Sequence, residues 1–380
     1  MLLLKTLIFT DIYNLDISHF ARCFFEKFTP VMFRMTLDKC CVCLSFDTNG
    51  RQTQYNRSEM LMTYRTFLEL VEIRTKLASL FPFIMGVLFA MTYFGEVQWL
   101  NTFIFFIGMT IFDMVTTMIN NYMDYKKAKS KTYQMTENII GQSGIPLKLV
   151  RHLIFIMLLM TMGIGIYLTS QNGWVFMLIG GICCLVGVFY TWGPIPLSRM
   201  PLGEIFSGLS MGLGIFILTI LTNVTHYPPI YLQLNFSSGL FQLEGNIYSL
   251  AAIILASLPL ISSISNIMLA NNLRDLTMDI ENHRYTLIYY IGRPTGVILF
   301  KFLALLGYGT IIIGLLAGIY HWPILVTLAS FPIVLKNTRA FEQTLPHPKC
   351  FQYAIKNLVT FNTLYALGLA LSLLVTGVNF

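Results

Sequence analysis

Long runs of apolar residues dominate this chain and limit the folds that it can adopt. Nine runs can be counted, at residues 77–94, 99–120, 152–170, 174–192, 203–222, 247–269, 296–319, 322–335 and 357–376. A bilayer core about 30 Å thick needs roughly 20 apolar residues per spanning helix. Of all residues, 55% are hydrophobic and only 11% are charged, whereas soluble domains have about 25% charged residues. The sequence therefore predicts an all-α, polytopic membrane protein with nine transmembrane helices.

The distribution of Lys and Arg predicts how these helices are oriented. If the N-terminus is cytoplasmic, Lys and Arg are absent from every predicted outer segment, namely 95–98, 171–173, 223–246, 320–321 and 377–380. Cytoplasmic loops of membrane proteins retain these two residue types. We therefore expect a multi-pass protein of the cell membrane with its N-terminus inside and its C-terminus outside. The net charge of +7 follows from this bias and indicates no nucleic-acid partner.

Residues 1–61 differ from the rest of the chain. They contain four of the seven cysteines and no apolar run of spanning length. Three of these cysteines follow a C-C-x-C spacing, which lacks the paired C-x-x-C pattern of a structural zinc site. We expect an N-terminal extension that takes no part in the membrane domain, residues 62–380. A translation start at Met60 or Met62 would explain it.

The most polar stretch after this extension, NNLRDLTMDIENHRYTL, begins at residue 271 and lies between the sixth and seventh apolar runs. Asp275 and Asp279 are four residues apart, so on a helix they share one face, and Asn272 joins that face one turn earlier. This face would present several oxygen ligands to its surroundings. Charged loops commonly leave a membrane, so this stretch alone is also explained by topology.

A second polar stretch, NNYMDYKKAKSK, begins at residue 120 on the same predicted side of the membrane. Asn120 and Asp124 repeat the four-residue spacing, and Lys126 and Lys127 follow at once. Mg²⁺ typically binds one or two protein carboxylates together with substrate phosphate oxygens, and Lys and Arg suit the same phosphates. A purely topological loop needs no repeated spacing, so the pair of stretches predicts a metal-bridged diphosphate site.

Asp113 lies about two turns inside the second apolar run. Residues 113, 117, 120 and 124 follow one helical face, so Asp113 faces the same way as the second polar stretch. An ionisable residue at this depth indicates a functional site. A structural hydrogen-bonding role explains it equally well.

These polar residues resemble the motifs of the UbiA-type membrane prenyltransferases. That superfamily pairs an N-x-x-x-D-type motif after the second helix with a D-x-x-x-D motif after the sixth, and here they read Asn120 to Asp124 and Asp275 to Asp279. Within the superfamily, residues 271–287 are similar to the 1,4-dihydroxy-2-naphthoate polyprenyltransferases of menaquinone synthesis. The same holds for the motif Y-T-x-G-P followed by L-G-E/D, here at 190–194 and 202–204.

The resemblance covers about residues 65–380, and the chain departs from the family pattern at several positions. Asn121 replaces the usual Asp of the first motif, and Ala128 stands at its last acidic position, which leaves Asp124 as its only carboxylate. His283 replaces a usual glycine, and the stretch 74–76 lacks an expected proline. We therefore expect weaker metal binding by the first motif, and we expect Asn121→Asp to be tolerated and to favour Mg²⁺.

The resemblance implies Mg²⁺-dependent transfer of a polyprenyl group from polyprenyl diphosphate to 1,4-dihydroxy-2-naphthoate, with decarboxylation to demethylmenaquinol. Asp124, Asp275 and Asp279 would bind the metal, and Tyr190 would stabilise the allylic carbocation. Together these four residues form the expected catalytic set. The residues expected to bind the diphosphate are Lys127, Arg274, Arg284, Asn120, Asn121 and Asn272.

Other functions stay open on the sequence alone. The acceptor could be another aromatic compound, such as 4-hydroxybenzoate. A transporter is a rival of a different class, but it would place its site at the membrane midplane and show repeats, whereas no clear repeat is visible and the acids follow helix ends. A non-catalytic membrane scaffold would have no use for the paired aspartates. The lipid bilayer is an expected partner, and the sequence indicates no obligate protein partner.

Overall fold

The computed structural model describes residues 62–128, 131–136, 138–193 and 196–377, so the predicted extension at 1–61 lies outside the described residues. Nine helices of this part are labelled in chain order: α1 Leu77–Phe94, α2 Trp99–Lys127, α3 Leu147–Asn172, α4 Trp174–Phe189, α5 Gly203–Asn223, α6 Ile247–Glu281, α7 Leu287–Leu316, α8 Trp322–Thr344 and α9 Pro348–Thr376. Shorter helices at Tyr64–Leu70, Lys131–Thr136 and Ile139–Gln142 lie before α1 and between α2 and α3.

Among the described residues, eight of these helices are long and apolar enough to cross a membrane. The exception is α4, whose 16 residues fall short of the roughly 20 that a bilayer core requires. Each predicted apolar run coincides with one of these helices over most of its length, so the predicted helical membrane bundle is confirmed. That all nine helices cross the bilayer stays a prediction.

The two helices that carry the polar stretches continue well beyond the ends of their apolar runs. The α2 helix extends from the predicted end at 120 to Lys127, and α6 extends from the predicted end at 269 to Glu281. Neither extension contains glycine or proline, the two residues that most strongly interrupt helices. As a result, both polar stretches lie on helical surfaces, and their four-residue spacings are real facial repeats.

The core of the bundle lies where α1, α5, α6 and α9 meet. Its largest buried side chains include Met85, Phe89, Phe216, Ile253 and Tyr365. The α5 helix adopts a π-helical turn over Gly208–Gly214 and approaches α6 closely there. A Cβ atom on Gly212 would lie 2.7 Å from the backbone nitrogen of Ile261. Only glycine permits this contact between the two backbones.

Asp113 takes part in a polar network between α1 and α2. Lys76 lies at the start of α1, and its Nζ contacts Asp113 Oδ1 at 2.8 Å and donates to Thr117 Oγ1 at 2.6 Å. Ser79 Oγ donates to the second carboxylate oxygen of Asp113. Both oxygens of Asp113 are therefore occupied by α1, which favours the structural interpretation of this residue over a role in the site.

The segment between α5 and α6 forms a β-hairpin that the sequence did not predict. Strand β1, Ile230–Asn235, pairs antiparallel with β2, Leu240–Gly245. Asn246 then caps α6, because its side chain accepts hydrogen bonds from the first backbone N–H groups of that helix. The hairpin thus lies where α6 begins, at the opposite end of this helix from the polar stretch.

Candidate active site

The polar ends of α2 and α6 border a cavity of about 330 Å³. Its lining consists of Asp124, Lys127, Ala128, Arg199, Asp275, Met278, Asp279, Asn282, His283 and Arg284. The structure therefore brings together five of the ten predicted site residues, namely Asp124, Lys127, Asp275, Asp279 and Arg284. Three carboxylates and three cations face one space, at a bundle end and not at the midplane.

A tight reversal after α6 positions one of these cations. The helix ends at Glu281, and His283 then adopts a φ of 55°, in the left-handed region that glycine occupies most readily. This conformation explains why a glycine would fit at this position. The reversal returns Arg284 to the helix end, where its backbone N–H donates to the carbonyl of Asp279 at 2.8 Å and its Nε lies 3.4 Å from Asp279 Oδ1.

Asp279 is the most buried carboxylate of the cavity, with 4% of its surface exposed. Its Oδ2 atom is buried and has no hydrogen-bond partner among the described residues. A buried carboxylate oxygen without a donor is unfavourable. The side chain is therefore suited to receive a cation or a hydrogen-bond donor from a bound molecule.

Asp124 on α2 faces Arg199, a cation that was not among the predicted site residues. Arg199 Nη2 lies 3.9 Å from Asp124 Oδ1. The carbonyl of Arg199 accepts a hydrogen bond from the backbone N–H of Tyr285 at 3.1 Å, which fixes this loop beside the reversal after α6. A single arginine in an inner loop follows the charge bias of any membrane protein, so no sequence signal set Arg199 apart.

Asp275 is held by its own neighbour in sequence. Arg274 donates from Nε to Asp275 Oδ1 at 2.6 Å and from Nη2 to Oδ2. The same Nη2 contacts Asn271 Oδ1, and the guanidinium lies 5.0 Å from the ring centroid of Phe351. Arg274 was predicted to bind the diphosphate, but the structure places it outside the cavity lining, where it orients Asp275.

The three predicted amides also contact the protein itself. Asn120 Oδ1 accepts from Thr191 Oγ1 at 3.1 Å. Asn121 Nδ2 donates to the carbonyl of Leu70 at 3.0 Å and to Glu72 Oε1 at 3.2 Å. These two amides connect α2 to the loop after α4 and to the segment before α1. Neither lines the cavity.

Asn272 contacts a buried acid, Glu204, which is the last residue of the motif at 202–204. Its Nδ2 donates to Glu204 Oε1 at 2.8 Å, and both side chains are at most 4% exposed. Tyr190 lies at the same place, because its hydroxyl is 3.4 Å from the carbonyl of Gly203. The half-buried Tyr190 and the buried pair of Asn272 and Glu204 therefore lie together outside the cavity lining.

Comparison with known proteins finds matches to membrane prenyltransferases in both a family model and a related sequence. A sequence model described as the UbiA prenyltransferase family matches residues 79–359. The 1,4-dihydroxy-2-naphthoate octaprenyltransferase of Bacillus subtilis (strain 168) is 25% identical over 309 residues, which cover 81% of this chain and 92% of that protein.

Solved structures show the same fold at lower identity. A UbiA homolog from Archaeoglobus fulgidus, solved bound to GPP and Mg²⁺, is 12% identical and superposes with a TM-score of 0.56 over 82% of this chain and 99% of its own. An apo UbiA homolog from Aeropyrum pernix K1 is 13% identical, with a TM-score of 0.57 over 79% of this chain and 98% of its own.

Proposed function

The chain belongs to the UbiA prenyltransferase family, and from this premise we propose that it transfers a polyprenyl group to 1,4-dihydroxy-2-naphthoate with loss of carbon dioxide. The donor is polyprenyl diphosphate and the product is demethylmenaquinol. The similarity to the B. subtilis octaprenyltransferase supports this choice of acceptor within the family.

One observation carries the proposal: three carboxylates and three cations line a single cavity at the end of an apolar bundle. A polyprenyl diphosphate has the same division of character, because its diphosphate is strongly anionic and its tail is a hydrocarbon. The tail can stay among the helices while the diphosphate lies in the cavity. Lys127, Arg199 and Arg284 line the cavity and belong to segments predicted to be cytoplasmic, which supports a cytoplasmic site in the cell membrane.

The cavity residues fit a magnesium ion that is shared with the substrate. Among the described residues, no three acidic, histidine or cysteine side chains could hold an ion by themselves. Mg²⁺ needs only one or two carboxylates, because waters and substrate phosphate oxygens complete its shell. Asp279, with its unpartnered Oδ2, is the first candidate, and Asp124 and Asp275 are the others. Bound there, the ion would neutralise charge that develops on the leaving diphosphate.

Positively charged side chains of the protein would also stabilise the negative charge on the diphosphate. Arg199, Arg284 and Lys127 line the cavity and can donate charge-assisted hydrogen bonds to phosphate oxygens. As the bond between the allylic carbon and its oxygen breaks, negative charge grows on the diphosphate, and cations already in position stabilise it without reorganising. The allylic carbocation forms towards the apolar bundle, where water is excluded.

The acceptor then completes the reaction. The naphthoate ring is electron-rich, and its carboxylate-bearing carbon attacks the allylic cation. This step forms the new carbon–carbon bond. The carboxylate leaves as carbon dioxide, and the electrons of the broken bond restore the aromatic ring. No external oxidant or reductant is required.

The test uses purified protein in nanodiscs with a radiolabelled polyprenyl diphosphate and, separately, 1,4-dihydroxy-2-naphthoate or 4-hydroxybenzoate. We expect a prenylated product and carbon dioxide with the naphthoate, and loss of both when EDTA is added. Asp279→Asn is the matched inactive control. If product forms with 4-hydroxybenzoate alone, the proposed acceptor is wrong and the prenyltransferase activity stands. If no product forms with either acid, the proposal is refuted.

A further inference from the structure

The hairpin between α5 and α6 has one apolar face and one mixed face with a polar centre. In the antiparallel register, Leu232 is opposite Leu243 and Leu234 is opposite Phe241, so these four side chains share a face with Ile230. The other face carries Gln233, Gln242 and Glu244 at its centre, with Tyr231, Asn235 and Leu240 around them. A uniformly apolar face opposite a face with a polar centre is typical of a sheet with one side in an apolar environment and the other in water.

Only half of the apolar face is covered by protein. Ile230 and Leu232 on β1 pack against the first turn of α4 beside Val175 and Phe176. On β2, by contrast, Phe241 is 75% exposed and Leu243 is 60% exposed. The second strand therefore projects beyond the bundle with its apolar side chains unpartnered within the described chain.

The projecting strand continues an apolar surface of the bundle. At the start of α6, directly after β2, Ile247 and Tyr248 are 75% and 81% exposed. Within the first two turns of α4, Met177 and Leu178 are about half exposed. These helices belong to a membrane bundle, so outward-facing apolar side chains on them contact lipid. The exposed face of β2 lies next to this lipid-facing surface.

The α4 helix is too short to cross the hydrocarbon core by itself, which explains the position of the hairpin beside its first turn. Its 16 residues extend about 24 Å at 1.5 Å per residue, while the hydrocarbon core is about 30 Å thick. The hairpin packs on the end of α4 where the helix begins, with the ring of Phe236 at the tip 5.7 Å from that of Trp174. It therefore adds apolar surface at the position where the helix alone leaves polar groups facing lipid.

We infer that this hairpin is a membrane-interface element: Phe241 and Leu243 insert into the lipid bilayer on the membrane face opposite the cavity, and the Gln and Glu face meets water. Aromatic and aliphatic side chains at the headgroup boundary are typical of such elements. Residues 223–246 contain no Lys or Arg, so binding would depend on apolar insertion and not on anionic headgroups. This inference is independent of the reaction proposed for the cavity.

The test compares two adjacent positions of β2 that face opposite ways. Phe241→Cys and Gln242→Cys are each labelled with a bimane fluorophore in the full chain, and the unsubstituted chain, labelled in parallel, supplies the background from native cysteines. The proteins are placed in nanodiscs of phosphatidylcholine with either ordinary or brominated acyl chains. We expect brominated lipid to quench the label at 241 at least about two-fold more strongly than the label at 242.

Equal quenching at the two positions would overturn the inference. So would a label at 241 that is shielded from brominated lipid while Phe241→Cys forms disulfide-linked dimers, since a second copy would then cover this face. A second measurement uses Phe241→Asp against Gln242→Asp. The first substitution should lower the thermal midpoint more in nanodiscs than in detergent, and the second should give no such difference; no difference for Phe241→Asp would also count against the inference.

Discussion

Replacing Asn121 by Asp separates two interpretations of the first motif. The sequence predicts that an acid at this position is tolerated and favours Mg²⁺, because the family pattern has Asp there. In the structure, Asn121 lies outside the cavity lining and its Nδ2 donates to the carbonyl of Leu70 and to the carboxylate of Glu72. Aspartate has no N–H to donate, and its carboxylate would face two acceptors at about the distance of the lost hydrogen bonds.

The size of the effect follows from these contacts. Each lost hydrogen bond contributes about 1 kcal/mol. Repulsion between the new carboxylate and Glu72 is screened because Glu72 is exposed, so it adds only about 0.5 kcal/mol. Together these terms predict a destabilisation of about 2–3 kcal/mol. The structure therefore reverses the expectation from the sequence: Asn121→Asp should harm the protein through its fold.

Thermal unfolding in detergent without Mg²⁺ measures this loss. We expect a lower midpoint for Asn121→Asp, a smaller decrease for Asn121→Ala, which removes the hydrogen bonds without adding charge, and partial recovery when Glu72→Gln is combined with Asn121→Asp. A double-mutant cycle over these variants isolates the repulsion. An unchanged midpoint, together with a larger stabilisation by Mg²⁺ than the native chain shows, would refute the structural reasoning and support an acid of the metal site at 121.

Three further predictions concern the cavity and the extension. Asp279→Asn should reduce transfer at least about 100-fold without lowering the thermal midpoint; turnover at the native rate would contradict the role of this carboxylate. Arg199→Gln should raise the KM for polyprenyl diphosphate about ten-fold, whereas Arg151→Gln, an exposed arginine on α3, should leave it unchanged, and equal effects would argue against a phosphate contact. Deleting residues 1–59 should preserve membrane insertion and activity, and a chain that inserts but cannot turn over would show that the extension is needed.

The bundle could be predicted because apolar length alone determines which segments enter a bilayer. The ends of α2 and α6 could not be predicted in the same way, since they leave the apolar region and their helical state depends on local propensity and packing. The four-residue spacing nevertheless predicts correctly that the polar residues of each helix end share one face of that helix. The hairpin escaped prediction because residues 223–246 alternate only weakly and were read as an outer loop.

The three predicted carboxylates all line the cavity, whereas only two of the other seven predicted residues, Lys127 and Arg284, do so. Asp124, Asp275 and Asp279 share the cavity because helix periodicity fixes their direction once the two helices are neighbours. Asn121 and Asn272 lie on the same helices but face Glu72 and Glu204, and the direction of an amide depends on neighbours that are distant in sequence. Arg199 reaches the cavity for the same reason, through a loop whose path a sequence does not reveal.

The arrangement around α6 also indicates how the folded protein tolerates two neighbouring carboxylates before a substrate binds. Two carboxylates at i and i+4 repel and destabilise a helix, yet Asp275 and Asp279 each face a separate arginine, Arg274 and Arg284. The bidentate contact of Arg274 uses one lone pair on each oxygen of Asp275, and a carboxylate has about four acceptor sites, so capacity for a cation remains. Arg284, by contrast, lines the cavity, and its Nε has no hydrogen-bond partner among the described residues. We therefore expect Arg274 to stay with Asp275 throughout the reaction and Arg284 to turn towards the diphosphate, so that the two arginines serve different functions although each faces an aspartate of α6.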